Sequence, residues 1–277
     1  MGKPLQQLNG STIDEAQVAR FDAAAAIWWD PKGEARWLHR YNPVRLDYIR
    51  RAACRRFQEG SDLDGLKGLR ILDIGCGAGV LCEPLARLGA SVVGVDPGQS
   101  NIAMARQHAR DAKLAIDYRC TTAEVLADAG EQFDIVLAME VVEHVADARI
   151  FLSRCSELVR TGGLMILSTI NRTPKSFAYA IVAAEYVLRL LPRGAHHWRR
   201  FVTPPEAETA LAAGGLTLMD VTGVTLNLIT RDLQLSRDTK VNYMLTAERQ
   251  GPVANSGATM SRSLGVSKCN NEAIDGT

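Results

Sequence analysis

The chain has 277 residues, with 32 Lys and Arg against 31 Asp and Glu for a formal net charge of +1, and an apolar fraction of 47%. That length fits one large α/β domain with decorations or two ordinary domains, and the apolar share is enough for a full core. The charge balance argues against a nucleic-acid binder driven by overall charge, and six scattered cysteines without a CxxC pair argue against a secreted disulfide framework or a zinc module.

Met1 to Gln17 lacks the apolar run of a signal peptide, and no uncharged apolar stretch reaches bilayer length. A cytoplasmic protein with reduced thiols is expected. Thr12 to Glu15 has capping-box spacing, and Val18, Phe21, Ala25 and Trp28 or Trp29 follow at helical intervals, which predicts an N-terminal amphipathic helix before the turn-rich Asp30 to Gly33. Rings and cations from Trp37 to Pro43 follow no period, so a second helix is expected to start at Pro43 and to run to about Phe57.

From Leu69 short apolar runs alternate with helical stretches. Strands are expected at Arg70–Ile74, Ser91–Val95, Ala115–Tyr118, Phe133–Ala138 and Leu164–Ser168. Helices are expected between them around Leu81–Leu88, Asn101–Ala112, Ala123–Ala127 and Ala148–Leu158. This is the pattern of a doubly wound parallel sheet covered on both faces. Two more runs, Leu216–Val221 and Val241–Ala247, should pair antiparallel around a polar loop through Arg231 to Asp238. Gly251 to Thr277, rich in Gly, Ser and Asn, reads as a disordered tail.

The first strand runs into Gly75-Cys76-Gly77-Ala78-Gly79, a turn whose glycines let a ligand approach the main chain. Val80 occupies the slot where a dinucleotide fingerprint needs its third glycine. Asp73 puts a carboxylate where a pyrophosphate would be repelled and a cationic or zwitterionic ligand would not. Asp96 ends the second strand at the spacing where an acid accepts from both ribose hydroxyls; alone, it reads equally as a helix cap or turn residue. Together these features suit S-adenosylmethionine better than NAD. Met139 ends the fourth strand, either against an adenine ring or simply as core.

Glu140, Glu143 and His144 follow at the carboxyl end of the sheet. If they converge, two carboxylates and an imidazole suit Mg²⁺, or Zn²⁺ or Mn²⁺, which would hold a catechol and stabilise its phenolate. Without metal, His144 suits a general base. Alternatively Glu140 contacts cofactor or backbone, and Glu143 is favoured by a helix dipole. Between Pro174 and Pro192 lies a strongly apolar helical segment with Lys175 before it and Arg193, His196, His197, Arg199 and Arg200 after it. Shallow insertion into an anionic membrane, a lid over a greasy substrate, or a helix on the core with a solvated basic loop all fit.

Several blocks resemble the ubiquinone-biosynthesis O-methyltransferases of bacteria and mitochondria: Ala19-Arg-Phe-Asp22, Trp28-Trp-Asp30, Leu38 to Arg45, Leu72 to Gly77, Met139 to His144, Thr169-Ile-Asn-Arg-Thr-Pro-Lys175, Ala184 to Arg189 and Val241 to Met244. The likeness runs from about Ile13 to Ala247. It implies a class I S-adenosylmethionine-dependent methyltransferase fold, α/β and Rossmann-like, with its last strand antiparallel. The implied activity is both O-methylation steps of the pathway, on 2-polyprenyl-6-hydroxyphenol and 3-demethylubiquinol.

By match to the family's motifs, Arg45, Gly75, Asp96 and Met139 are the cofactor contacts. Glu143 and His144 are the expected catalytic residues, and Glu140, Glu143 and His144 match the positions that hold a divalent metal in some members. The expected organisation is a helical cap at 1–62, the methyltransferase domain at 63–249 with an apolar insertion near 174–200, and a tail at 250–277. Expected partners are a polyprenylated phenol or quinol, an anionic membrane surface at the inner face and a ubiquinone-biosynthesis complex, with no nucleic acid. A nicotinamide oxidoreductase and a non-catalytic membrane scaffold are the competing readings.

Overall fold

The computed structural model describes residues 12–33, 35–57, 66–178, 198–227 and 232–251. The apolar segment and bases over 179–197 and the tail beyond 251 lie outside the described residues, and so do the expectations attached to them. Helix α1 (Glu15–Ala23) is capped by Asp14, whose Oδ1 accepts from the Ala16 and Gln17 amides at 3.1 and 3.2 Å. The capping box predicted at Thr12 is thus displaced by two residues. Asp14 lies nearer the orphan amides, and its charge also complements the helix dipole. Thr12 instead bonds the Glu124 carboxylate, and its carbonyl accepts from Ala146 N at 2.8 Å.

Helix α2 (Arg36–Phe57) starts seven residues before Pro43 and carries that proline inside it, correcting the expected start. Proline forfeits one hydrogen bond, to the carbonyl four residues back. Tyr41, Val44, Tyr48, Ile49 and Ala52, buried along one face, offset that loss.

The sheet has eight strands: β1 (Arg70–Ile74), β2 (Ser91–Asp96), β3 (Asp117–Cys120), β4 (Phe133–Met139), β5 (Val159–Ile170), β6 (Thr217–Leu226), β7 (Leu233–Ser236) and β8 (Asn242–Glu248). Their order is β3-β2-β1-β4-β5-β8-β6-β7. The first five are parallel, and β8 lies antiparallel between β5 and β6. The expected antiparallel pairing of β6 with β8 is therefore present. What read as a polar loop contains β7, antiparallel to β6, because Leu233 and Leu235 alternate onto the core. Strand β3 sits two residues later than predicted, and β5 begins at Val159 with a register shift opposite Phe133 and Ile135.

Helices α3 (Cys82–Arg87), α4 (Gln99–Asp111), α5 (Ala123–Asp128) and α6 (Ala148–Glu157) link the parallel strands. A short turn, α7 (Pro174–Ser176), follows β5, and α8 (Pro204–Ala213) precedes β6. The last helix escaped the sequence reading although Thr203 and Glu206 form a capping box around Pro204.

Alternate side chains divide between two cores, as the pleat requires. Ile71 and Leu137 join Tyr48 and Ile102 on one face; Leu72 and Val136 join Phe151 and Leu211 on the other. Strand order reverses between β1 and β4, so their carboxyl ends form the switch point where open α/β sheets bind ligands.

Candidate active site

Gly75, Gly77 and Gly79 have φ of 68°, 53° and 86°, all left-handed. A Cβ on Gly75 would lie 2.6 Å from Val141 Cγ2, so the loop is pressed against the segment leaving β4. Gly77 is different: the atoms nearest a Cβ there belong to the Trp28 ring, at 3.6 Å. The indole lies over that face at ordinary contact distance, and the glycine adds no side chain of its own to crowd the main chain.

Asp96 at the end of β2 spans the loop and the start of α4. Its Oδ2 accepts from Gly77 N at 3.0 Å, and its Oδ1 accepts from Gly98 N at 2.7 Å and Asn101 Nδ2 at 3.2 Å. Burial pushes its carboxyl above the ordinary range, while these donors pull the other way. These bonds show Asp96 as a turn and helix-start residue. Asp73 is fully buried, accepts from the Cys82 thiol at 3.2 Å, and is pushed up to about 6 by burial.

Helix α2 delivers Arg45 to this point. Asn42 Nδ2 donates to the Val80 carbonyl at 2.9 Å, tying the helix to the glycine loop, and its Oδ1 accepts from Arg45 at 3.2 Å. The guanidinium lies 4.7 Å over the Tyr41 ring and pairs with Glu140. Burial lowers its pKa to about 10, which leaves it charged at neutral pH. Met139 is buried at the end of β4, with Ser168 Oγ 3.7 Å from its sulfur.

Glu140 has a φ of 54° without being glycine. A residue held in that region costs about 1 kcal/mol or more, and such residues cluster at functional sites. Its amide donates to the Ser168 carbonyl at 2.9 Å, and its Oε1 accepts from Ser168 Oγ at 2.5 Å. Glu143 turns inward: Oε2 accepts from Thr169 Oγ1 at 2.9 Å, while Oε1 is buried with no partner among the described residues. Burial pushes this carboxyl from 4.5 up to about 7. His144 faces α1, with Nδ1 3.2 Å from Gln17 Oε1 and its ring edge-on to Phe21, centroids 4.8 Å apart.

The expected convergence of Glu140, Glu143 and His144 is therefore absent. Among the described residues, no three His, Cys, Asp or Glu side chains are grouped as a metal requires. The cause is local: left-handed Glu140 turns to Arg45 and Ser168, Glu143 to Thr169, and His144 to the cap helix.

A family model described as a methyltransferase domain matches residues 72–167. A ubiquinone biosynthesis O-methyltransferase of Bradyrhizobium diazoefficiens is 58% identical over 240 residues, covering 86% of this chain and 94% of the relative. One from Rhizobium etli is 55% identical over 240 residues, covering 86% and 97%. The chain belongs to the ubiquinone biosynthesis O-methyltransferase family. It is an S-adenosylmethionine-dependent methyltransferase. A solved magnesium protoporphyrin IX methyltransferase from Synechocystis, with bound SAH, is similar in fold, with a TM-score of 0.60 at 21% identity over 86% of this chain and all of that one (100%).

The methyltransferase brings Arg45, Gly75, Asp96, Met139, Glu140 and Glu143 to one edge of the sheet, with His144 on the cap side. Asn42, Thr169 and Gln17 hold three of these residues. Asn42 and Thr169 fall within blocks that resemble the family but carry no local signal of this role, and Gln17 has no sequence signal. The described bases beside the apolar segment are partly neutralised, Lys175 by Asp238 at 2.6 Å and Arg200 by Asp14 at 2.7 Å. Among the described residues, no helix is long and apolar enough to cross a membrane.

Proposed function

We propose that the methyltransferase acts on the ring hydroxyls of 2-polyprenyl-6-hydroxyphenol and 3-demethylubiquinol, with Glu143 as the base. Family likeness over most of the chain supports the substrates. The buried, unpartnered Oε1 of Glu143 supports the mechanism. The residues present suit the cofactor: the glycine loop has no side chain at Gly75, Gly77 and Gly79 to crowd its backbone, Trp28 Nε1 beside it is a buried donor without a partner among the described residues, and Arg45 is a buried cation. Bound S-adenosylmethionine supplies a sulfonium methyl for in-line attack by the substrate oxygen.

The protein's own tasks are orientation and removal of the phenolic proton. A free phenol titrates near 10, so at neutral pH it needs a nearby acceptor. Thr169 holds one oxygen of Glu143 and leaves Oε1 for that proton. A base titrating near 7 is ionised in about half the molecules at neutral pH and is basic enough to be useful. Arg45 provides a positive field that favours the phenolate. His144, next to Glu143 in the chain, is held on the cap side by Gln17 and Phe21.

Glu140, Glu143 and His144 carry donors that suit Mg²⁺ or another divalent cation, but they would have to regroup to hold it, and no step is assigned to it here. A membrane-peripheral position at the inner face, and association with other enzymes of the pathway, belong to the same proposal, because a polyprenyl tail partitions into lipid. The deciding assay is methyl transfer from labelled cofactor to a short-chain polyprenyl catechol, with and without chelator. Transfer that survives chelation is the expected result, and absence of transfer in both arms overturns the assignment.

A further inference from the structure

The segment joining α1 to α2 carries two adjacent tryptophans with different surroundings. Trp29 is fastened on two sides. Its indole N–H donates to the Ala78 carbonyl at 3.0 Å, and its ring lies flat on the His108 imidazole, centroids 3.4 Å apart and planes 3° from parallel. His108 on α4 is held in turn by Glu83 on α3, Nδ1 to Oε1 at 2.5 Å. Glu83 is 2% exposed, so this anchor reaches into the protein.

With Trp29 clamped, Trp28 has little freedom. Its carbonyl accepts from His39 Nε2 at 2.8 Å, and its ring lies over Gly77. The ring atoms nearest a Cβ on Gly77 are Cε2, Cζ2 and Cη2, each at 3.6 Å. Cε2 is bonded to Nε1, so the edge of the indole that carries the N–H rides on the glycine loop. Yet Trp28 Nε1 is buried and has no acceptor among the described residues.

A buried donor left unpaired costs roughly 1–3 kcal/mol, so it calls for a physical reason. The loop offers it no acceptor: the Ala78 carbonyl is taken by Trp29, and no other described group accepts from Trp28 Nε1. An acceptor arriving with a ligand would satisfy it. We propose that Trp28 is a cofactor contact, donating its indole N–H to an oxygen of the bound S-adenosyl ligand, with Trp29 and His108 as the positioning residues that hold it over Gly77. This rests on the reading of the glycine loop as the S-adenosyl site. The acceptor oxygen is a ribose hydroxyl or the amino-acid carboxylate.

The test uses the full chain and S-adenosylhomocysteine, with binding followed by calorimetry and by tryptophan emission. Trp28→Phe keeps a ring over Gly77 and removes only the donor. It is expected to weaken binding about tenfold, the worth of one hydrogen bond, and to abolish most of the emission change on titration. His108→Ala is expected to raise the KM for cofactor several-fold with kcat at saturation unchanged, which general loosening of the fold would not do. Trp28→Leu, compared at matched thermal stability and likewise without a donor, covers the case in which the Phe variant folds poorly.

Repeating the titration with 5′-methylthioadenosine, which lacks the carboxylate, distinguishes the two acceptors. Equal weakening of both ligands assigns the ribose, and weakening of S-adenosylhomocysteine alone assigns the carboxylate. Folded variants that bind within twofold of wild type overturn the proposal. If the wild-type protein itself fails to bind S-adenosylhomocysteine, the reading of the loop fails first and takes the proposal with it.

Discussion

The two halves of the active site treat their charges differently. Beside β1 and β2, both oxygens of Asp96 are hydrogen-bonded, to Gly77, Gly98 and Asn101. Beside β4 and β5, Glu140 is held in a left-handed conformation and Glu143 keeps one buried oxygen unpartnered. The glycine-loop side thus has its carboxylate fully hydrogen-bonded and leaves a donor, Trp28 Nε1, without a partner among the described residues, whereas the β4 side leaves an acceptor, Glu143 Oε1, beside a left-handed backbone. Burial raises carboxyls on both sides, and the backbone strain at a non-glycine residue falls on the β4 side.

The contrast is broken or sharpened most strongly at Glu143. Replacing it with Gln keeps the Thr169 hydrogen bond and removes the base; kcat is expected to fall by about 10²–10⁴ while the Kd for S-adenosylhomocysteine stays within about threefold. Steady-state kinetics beside calorimetry check this, and a Kd that rises many-fold as kcat falls would erase the distinction between the two halves.

The same group makes a stability signature. A carboxyl raised from 4.5 to about 7 binds more protons folded than unfolded between those values. Its contribution is therefore fully present below pH 4.5 and is lost as pH climbs through 7. Asp73, raised to about 6, acts in the same direction over a lower window. Denaturant unfolding across pH 4.5–8 is expected to show stability declining by about 3 kcal/mol at most from Glu143, with Glu143→Gln flattening that part of the curve. Activity runs the opposite way, since kcat needs the ionised form and rises as pH passes 7.

On the cofactor side the glycines provide a finer comparison. Gly75→Ala puts a Cβ 2.6 Å from Val141 at a φ of 68°, and about 2–3 kcal/mol of stability should be lost. Gly77→Ala meets nothing closer than 3.6 Å and should cost about 1 kcal/mol, mostly from its φ of 53°, while weakening cofactor binding more than the Gly75 change. Thermal melts with and without S-adenosylhomocysteine separate the two effects. The change confined to binding is expected at Asp96→Asn, which retains the shape and loses the charge: cofactor affinity should drop about tenfold with kcat at saturation nearly intact. Unchanged affinity would reduce Asp96 to a brace for the loop.

Much of the fold was legible because its signals are local. Strands β1 and β2 are apolar runs ending in a glycine turn and an acid, and the antiparallel pairing of β6 with β8 followed from the missing helix between them. Missed elements were those stabilised from outside their own segment. Helix α2 runs through Pro43 because a buried face compensates for the lost hydrogen bond, and β7 forms because Leu233 and Leu235 find a core to cover. Helix α8 was legible in Thr203, Pro204 and Glu206 and was overlooked.

For the site, Gly75, Asp96, Met139, Glu140, Glu143 and His144 were named from position after a strand. Arg45 came only through family likeness, since a helical arginine is ordinarily solvated. Spacing does not encode side-chain direction: Glu140 adopts a left-handed φ and Glu143 turns to Thr169, so the three side chains expected to converge are not grouped among the described residues.

By itself, then, the amino-acid order determined the alternation of strands and helices, the glycine turn and the acids that follow the strands, because hydrophobic period and backbone freedom act over a few residues. Tertiary structure alone decided that Arg45 turns inward, that Glu143 titrates near neutrality and that Trp28 lies on Gly77. Desolvation and close approach depend on what distant segments bring into contact, and only the folded chain sets those distances.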